Sequence, residues 1–276
     1  MLSLGLIQNY IKKALPCRAA LFRSFVGCDK VMAMKSLKEQ FIVEVVGEAV
    51  RRAQPGTLVR VLDLGCGGAG YVAALVEKYP EIEYVGVEPI EYWFNIAQKN
   101  FSGVKNAKVH FQLGYESIPN EAEGSFDVVF SLSVLEHVKN LGRFLALGTK
   151  YTKQGGLIVH RYDLGHALHT HSIKEWIHVR LGNNLPQILP ERQFVRYVPE
   201  PEVRALYESQ GVTPLRTTYH QMPSHKAFEK YFKNSDTTAV DELFAWEMKH
   251  QDDILKIPVA ARENLFPAVA VWGDKR

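Results

Sequence analysis

Between about Leu58 and Asp163, short apolar runs alternate with longer segments whose apolar residues recur at helical spacing. The runs that we predict as strands are LVRVLDLG, EYVGVEP, AKVHFQLG, SFDVVFSLS and GGLIVHRYD. The segments that we predict as helices are GYVAALVEKY, IEYWFNIAQKN and, as one long helix, VLEHVKNLGRFLALGTKYT. Strands that are apolar on both faces and alternate with helices are typical of a parallel sheet covered on both sides.

The alternation breaks down after Asp163, where two segments have the character of insertions. We predict short helices in residues 164–200 and two polar amphipathic helices in residues 224–262. Two further strands are predicted around these insertions, in VTPLRTTYHQM and NLFPAVAVWGDK. We therefore predict an α/β, Rossmann-like sheet of seven mainly parallel strands with helices on both faces, formed by residues 56–276. The insertions predict a cap over the carboxyl ends of the strands, where such sheets bind their ligands.

Residues 1–55 predict a separate helical segment at the N-terminus. Apolar residues recur at helical spacing from Leu4 to Leu15, and basic residues accompany them with no acid before Asp29. A basic amphipathic helix can lie on an anionic membrane, act as a mitochondrial presequence or pack over the main domain. The sequence alone leaves these three alternatives open.

The composition limits the compartment and the partners. The 276 residues carry a net charge of +3, which is too small to indicate nucleic acid as a partner. The three cysteines form neither a paired framework nor metal-ligand spacing, and no apolar run is long enough to span a bilayer. We expect a cytoplasmic protein with a small-molecule or glycan partner. If the basic N-terminal helix lies on a membrane, the protein would also be peripheral to that membrane.

A glycine-rich loop follows the first predicted strand. Gly65, Gly67 and Gly70 fit the pattern G-x-G-x-x-G, and Glu88 ends the second strand, in the outline of a dinucleotide site. Asp63 argues against a dinucleotide, because a carboxylate at the end of this strand would repel a pyrophosphate. The same carboxylate favours a ligand that carries an ammonium or a sulfonium group.

Four motifs together carry a family resemblance. VLDLGCGGAG, YVGVEP, FDVVFSLSVLEHV and GGLIV stand in the order and spacing of the class I S-adenosylmethionine-dependent methyltransferases, which residues 58–163 resemble. The resemblance implies that S-adenosyl-L-methionine is the cofactor and that the chain is a methyltransferase.

Cofactor contacts can be carried over from the family by position. The resemblance places Asp63, Gly65, Cys66, Gly67 and Gly70 at the methionine part, Glu88 at the ribose hydroxyls, Pro89 beside the adenine, and Ser131 and Leu132 at the sulfonium. Where the family often has an Asp that binds the adenine amino group, this chain has Tyr115 followed by Glu116. The adenine contact therefore departs from the family's pattern at these two residues.

Half of the ten histidines lie between residues 160 and 178, after the fifth predicted strand. A hydroxyl acceptor must lose its proton during methyl transfer, and a His held by a carboxylate suits that task at neutral pH. We therefore predict His166 as the general base, oriented by Asp163, with His137 as a third catalytic candidate.

Two alternatives for these histidines stay open. Some methyltransferases of this class hold a metal through E-x-x-E-H after the fourth strand. Glu136 and His137 match this motif, but Ser133 replaces its first Glu, and we assign no metal ligands. The histidines can also make ordinary hydrogen bonds in a cap.

The leading functional hypothesis is methyl transfer to a hydroxyl of a small molecule or glycan, because RYDLGH resembles a subset of bacterial enzymes of glycan biosynthesis. The alternatives are an N-methyltransferase, a lipid or quinone methyltransferase at a membrane surface, and a non-catalytic regulatory protein that binds S-adenosylmethionine.

Overall fold

The computed structural model describes residues 37–276 except 113–114, 169, 171, 186–193 and 221–236. Its centre is a seven-stranded sheet in the order β3-β2-β1-β4-β5-β7-β6. The strands are β1 (Val59–Leu64), β2 (Ile82–Glu88), β3 (Ala107–Phe111), β4 (Phe126–Leu132), β5 (Thr152–Asp163), β6 (Val212–His220) and β7 (Ala268–Lys275). β7 is antiparallel to both of its neighbours, and the other strand pairs are parallel. The predicted sheet and fold class are confirmed.

Helices are numbered in chain order over the described residues. They are α1 (Leu37–Arg52), α2 (Gly70–Lys78), α3 (Glu91–Asn100), α4 (Leu141–Tyr151), α5 (Gly165–Leu168), α6 (Ile173–Asn184), α7 (Glu200–Ser209), α8 (Thr237–Lys249), α9 (Gln251–Leu255) and α10 (Val259–Leu265). None of them is both long enough and apolar enough to cross a membrane, among the residues that the structure describes.

The sheet is covered on both faces, as its apolar strands require. One core contains buried side chains of α1, α2 and α3, together with Phe244 of α8. The opposite core contains buried side chains of α4 and α7, together with Ile254 of α9. Val59 and Val61 belong to the first core and Leu62 and Leu64 to the second, so β1 is buried on both faces.

The single long helix predicted for residues 134–152 is wrong. A 3₁₀ turn, Leu135–His137, comes first, and α4 begins at Leu141. Val138 is extended, and the Asn140 side chain caps α4 by accepting a hydrogen bond from the Arg143 amide. This break leaves the 3₁₀ turn at the carboxyl end of the sheet.

Three other expectations concern the segments around the sheet. The two helices predicted in residues 224–262 are three helices in the described part of that segment, α8, α9 and α10. Residues 164–200 contain α5 and α6, where short helices were predicted. The basic helix predicted near the N-terminus lies outside the described residues.

Candidate functional site

The glycine loop between β1 and α2 adopts a backbone that requires glycine at two positions. Gly65 has φ +82° and Gly67 has φ +56°. A Cβ atom on Gly65 would lie 2.6 Å from Cγ2 of Val134, in the loop after β4. The amides of Gly65 and Cys66 donate to the Val87 carbonyl at 2.8 and 3.0 Å, which fixes the loop against β2. Gly70 begins α2, and the free Cys66 thiol is half-buried, with its pKa raised by burial.

Asp63 lies at the carboxyl end of β1, where it is buried. Its Oδ2 accepts a hydrogen bond from the Tyr84 hydroxyl at 2.9 Å, whereas Oδ1 has no partner among the described residues. Burial, opposed by the Tyr84 hydrogen bond and assisted by the charge of Glu88, raises the pKa of Asp63 to about 7. A buried carboxylate oxygen without a partner is what the ammonium group of S-adenosylmethionine would satisfy. The site therefore fits the methionine end of that cofactor.

Replacing Asp63 with Asn should change how stability depends on pH in the protein without cofactor. The folded-state pKa of about 7 exceeds the ordinary 3.8, so the folded protein binds the extra proton between these values. Stability then falls as pH rises through this window, by on the order of 1 kcal/mol per pH unit. Asp63→Asn should remove this slope and be the more stable protein at pH 8 but not at pH 4. Urea unfolding over pH 4–8 measures the free energy of unfolding of each protein, with Asp252→Asn, at an exposed residue, as the control. Equal slopes with pH in wild type and Asp63→Asn would contradict the raised pKa of Asp63.

Glu88 ends β2 and is also buried. Its Oε2 accepts the Gly67 amide at 2.8 Å, and its Oε1 accepts the Ile90 amide at 2.9 Å. Burial raises the pKa of Glu88, and the two amide bonds lower it. Because each oxygen has a second lone pair, the carboxylate can also accept hydrogen bonds from a ribose diol while it holds the glycine loop.

The predicted adenine contacts lie near this end of β2 and after β3. Pro89 is exposed, next to Ile90 at the start of α3. Tyr115 packs edge-on against Phe144, with ring centroids 6.4 Å apart. Glu116 has an exposed side chain, and its carbonyl accepts from Nε2 of Gln112. Tyr115 has no carboxylate, and the carboxylate of Glu116 is exposed. Neither residue therefore provides a buried acid that would bind the adenine amino group.

Ser131 does not present its side chain to the carboxyl end of β4. Its Oγ lies 2.7 Å from Nδ1 of His160, and both residues are fully buried. Burial lowers the pKa of His160 to about 3, so this ring is neutral. Ser131 could therefore meet a sulfonium only through its backbone, whereas Leu132, the next residue, is half-buried and lies on the opposite face of the sheet.

The structure brings the three predicted catalytic residues together at the carboxyl end of β5. Nε2 of His166 lies 3.5 Å from Oδ2 of Asp163, and the rings of His166 and His137 are 5.3 Å apart between centroids. Oδ1 of Asp163 accepts the Gly165 amide at 2.6 Å, which fixes the carboxylate, while the His166 side chain is exposed. An exposed ring beside a buried, fixed carboxylate can accept a proton from an acceptor.

His137 has its ring orientation set by the loop that follows α6. Its Nδ1 lies 3.0 Å from the Phe194 carbonyl, so Nδ1 carries the hydrogen and donates it. Burial lowers the pKa of His137. The neutral ring therefore keeps the lone pair of its Nε2 available.

Glu136 is a further carboxyl group that the sequence did not single out as catalytic. It is buried, its Oε1 accepts the Asp163 amide at 3.2 Å, and its Oε2 has no partner among the described residues. Burial raises the pKa of Glu136 to about 8. Glu136, His137 and His166 each offer a ligand atom, all within 4.8 Å of one another, so these three could hold a divalent cation.

Comparison with known proteins relates the chain to methyltransferases. Residues 62–160 match the family model of a methyltransferase domain. The chain is similar to the human mitochondrial ubiquinone biosynthesis O-methyltransferase, with 23% identity over 76% of this chain and 56% of that protein. It is also similar to the ubiquinone biosynthesis O-methyltransferase of Agrobacterium fabrum, with 33% identity over 42% of this chain and 46% of that protein. The chain thus spans about half the length of the curated relatives that it matches.

Among solved structures, the fold is similar to that of geranyl diphosphate C-methyltransferase from Streptomyces coelicolor A3(2), determined with Mg²⁺, geranyl diphosphate and S-adenosyl-L-homocysteine. The TM-score is 0.55 at 13% identity, over 87% of this chain and 78% of that one. At this identity the likeness shows the fold. The sequence matches and the buried Asp63 and Glu88 beside the glycine loop identify S-adenosylmethionine as the cofactor.

Proposed function

The chain belongs to the class I S-adenosylmethionine-dependent methyltransferases, and we propose that it transfers the methyl group to a hydroxyl oxygen of a small-molecule or glycan acceptor. The observation that supports an oxygen acceptor is the pair of Asp163 and His166 at the carboxyl end of β5. This strand is next to β4, and β4 is next to β1, which carries Asp63. The base and the cofactor residues therefore lie along one edge of the sheet.

The chain's own residues would act on the acceptor's proton. Because Nε2 of His166 faces Asp163, Nδ1 is the atom that takes the proton from the acceptor hydroxyl. Asp163 stabilises the imidazolium that forms, and its fixed position orients the ring. When bound, S-adenosylmethionine supplies the electrophilic methyl carbon, whose bond to sulfur breaks as the bond to the acceptor oxygen forms. The products are the methyl ether, S-adenosylhomocysteine and the proton on His166.

The names of the relatives support the choice of oxygen. The curated relatives described above are called ubiquinone biosynthesis O-methyltransferases. A quinone-related acceptor for this chain is therefore the first alternative to a glycan. We further propose a cytoplasmic location, on the basis of the cysteine usage. If the acceptor is quinone-related, we propose that the segment before Leu37 makes the peripheral membrane contact.

Methyl transfer itself can be tested without knowing the acceptor. The chain is incubated with S-adenosylmethionine labelled in its methyl group and with extracts separated into polar metabolites, lipids and quinones, and glycans. We expect label in a small-molecule fraction, in a base-stable ether. Label on nitrogen would favour the N-methyltransferase alternative. Tight cofactor binding with no labelled product in any fraction would favour the non-catalytic alternative.

A metal-dependent mechanism is the second candidate, because Glu136, His137 and His166 converge. A divalent cation there would bind the acceptor oxygen and lower the pKa of its hydroxyl. With His166 acting as a base, we expect activity to remain after incubation with EDTA and removal of the chelate. A loss of more than about tenfold that Mg²⁺, Mn²⁺ or Zn²⁺ restores would instead assign the three residues to a metal. Glu136→Gln, which keeps the shape of the side chain, would then lose metal binding measured by calorimetry.

A further inference from the structure

Helix α1 runs antiparallel to β5, so that its N-terminal part lies towards the carboxyl end of that strand. Near its C-terminus, Arg52 pairs with Asp274, and Asp274 lies beside Leu157 in the register of β5 and β7. Nearer its N-terminus, Phe41 lies under the guanidinium of Arg161, whose Cζ is 5.4 Å from the ring centroid. From its C-terminus to its N-terminus, α1 therefore approaches the carboxyl end of β5.

Lys38 continues this trend by one helical turn. It precedes Phe41 by three residues, so the two side chains share a face of α1. One turn of α1 rises about 5 Å along the helix, and the two residues from Arg161 to Asp163 span a similar distance, about 7 Å, along β5. Lys38 is therefore at the level of Asp163, on the face of the sheet that α1 covers.

The ammonium of Lys38 acts electrostatically on the site from this position. Its charge lowers the pKa of Glu136 and of His137. Burial and the neighbouring Arg161 lower the pKa of Lys38 itself, while Glu136 and Asp163 raise it. Among the described residues, no carboxylate lies within ion-pair contact of this ammonium. Lys38 is thus a half-buried cation that interacts electrostatically with Glu136, His137 and Asp163.

We propose that Lys38 stabilises the negative charge that develops on the acceptor oxygen when His166 takes its proton. This rests on the proposed function, and it assigns to Lys38 a role in transition-state electrostatics that the motifs do not contain. Preorganised charge in a site with little water is among the strongest devices for stabilising an oxyanion. The anion in turn would supply the half-buried ammonium with the ion-pair partner that it lacks among the described residues.

The need for such a cation follows from the acidity of hydroxyl groups. A histidine has an ordinary pKa of about 6.5, whereas a phenol such as tyrosine has about 10. An opposite charge within about 4–6 Å shifts a pKa by about 1–3 units, so one ammonium closes much of this difference.

The proposal can be tested by the ionisation of a bound probe, without any methyl transfer. 4-Nitrophenol is titrated into the complex with S-adenosylhomocysteine, in EDTA, and its phenolate is followed by absorbance as the pH is raised. In the wild type, the bound probe should ionise at lower pH than the free probe. Lys38→Met, which keeps the length of the side chain, should raise the pKa of the bound probe by about one unit or more. Lys38→Arg should retain most of the wild-type shift.

The matched control is Lys150→Met, an exposed lysine in the last turn of α4. Thermal unfolding and the affinity for S-adenosylhomocysteine show whether each variant is folded. If the wild type does not bind 4-nitrophenol, or if folded Lys38→Met leaves the pKa of the bound probe unchanged, the proposal is overturned. If the shift depends on Lys38 but no labelled methyl reaches any acceptor, the proposed methyl transfer fails and the oxyanion site stands.

Discussion

Replacing His166 with Ala should lower kcat by about 10²- to 10⁴-fold while the affinity for S-adenosylhomocysteine stays close to the wild-type value. The reason is the placement of the ring. His166 is exposed next to Asp163, at the end of β5, whereas the residues assigned to the cofactor lie at the ends of β1 and β2. The variant loses the group that accepts the proton and keeps the cofactor site.

Steady-state kinetics with the labelled acceptor and calorimetry with S-adenosylhomocysteine measure the two quantities separately. His178→Ala, in α6, is the matched control, because it removes another histidine of the same region. Asp163→Asn should also lower kcat, since its amide oxygen would accept the Gly165 amide and its nitrogen would face Nε2 of His166, where it cannot stabilise the imidazolium. If His166→Ala turns over as fast as the wild type, His166 has no part in the mechanism. A parallel loss of cofactor affinity would assign it a structural role.

The sheet could be predicted from the sequence because the pattern that indicates each strand lies within a few consecutive residues. Strands β1, β2 and β4 are short apolar runs that end at a glycine, an acid or a turn, as expected of parallel strands buried on both faces. Asp63 and Glu88 could be placed for the same reason. They end β1 and β2, and adjacent parallel strands bring their carboxyl ends together.

The side-chain direction of Ser131 could not be predicted in this way. The period of two in β4 places Val129 and Ser131 on one face and Phe130 and Leu132 on the other. Which face turns towards α4 depends on packing between distant parts of the chain. His160, on the neighbouring strand β5, decides it by bonding to Ser131 inside the core.

The break before α4 and the approach of Lys38 were missed for related reasons. The apolar residues from Val134 to Tyr151 fit one continuous helix, and only the side chain of Asn140, acting as a cap, shows that the helix begins again. Asn occurs both inside helices and at their N-caps, so its presence was ambiguous. Lys38 comes well before the first motif, and only the packing of α1 along β5 brings it to Glu136 and Asp163.

Glu88 carries the second large prediction, a loss of cofactor affinity of about 10²-fold or more in Glu88→Ala. Hydrogen bonds to a charged group contribute about 1.5–3 kcal/mol each, and the ribose diol would make two of them. Alanine also leaves the Gly67 and Ile90 amides without the carboxylate oxygens that accept them at 2.8 and 2.9 Å. The glycine loop would therefore lose its anchor as well as the ribose contact.

Glu88→Gln separates these two contributions. Glutamine keeps the length of the side chain, but its amide nitrogen must face either the Gly67 or the Ile90 N–H, and a donor would then meet a donor. Calorimetry with S-adenosylhomocysteine should place Glu88→Gln between the wild type and Glu88→Ala, with the exposed Glu81→Ala unchanged. If Glu88→Gln binds the cofactor as well as the wild type, the carboxylate charge is not needed and Glu88 does not bind the ribose. If Glu88→Ala binds equally well, the cofactor lies elsewhere on the sheet.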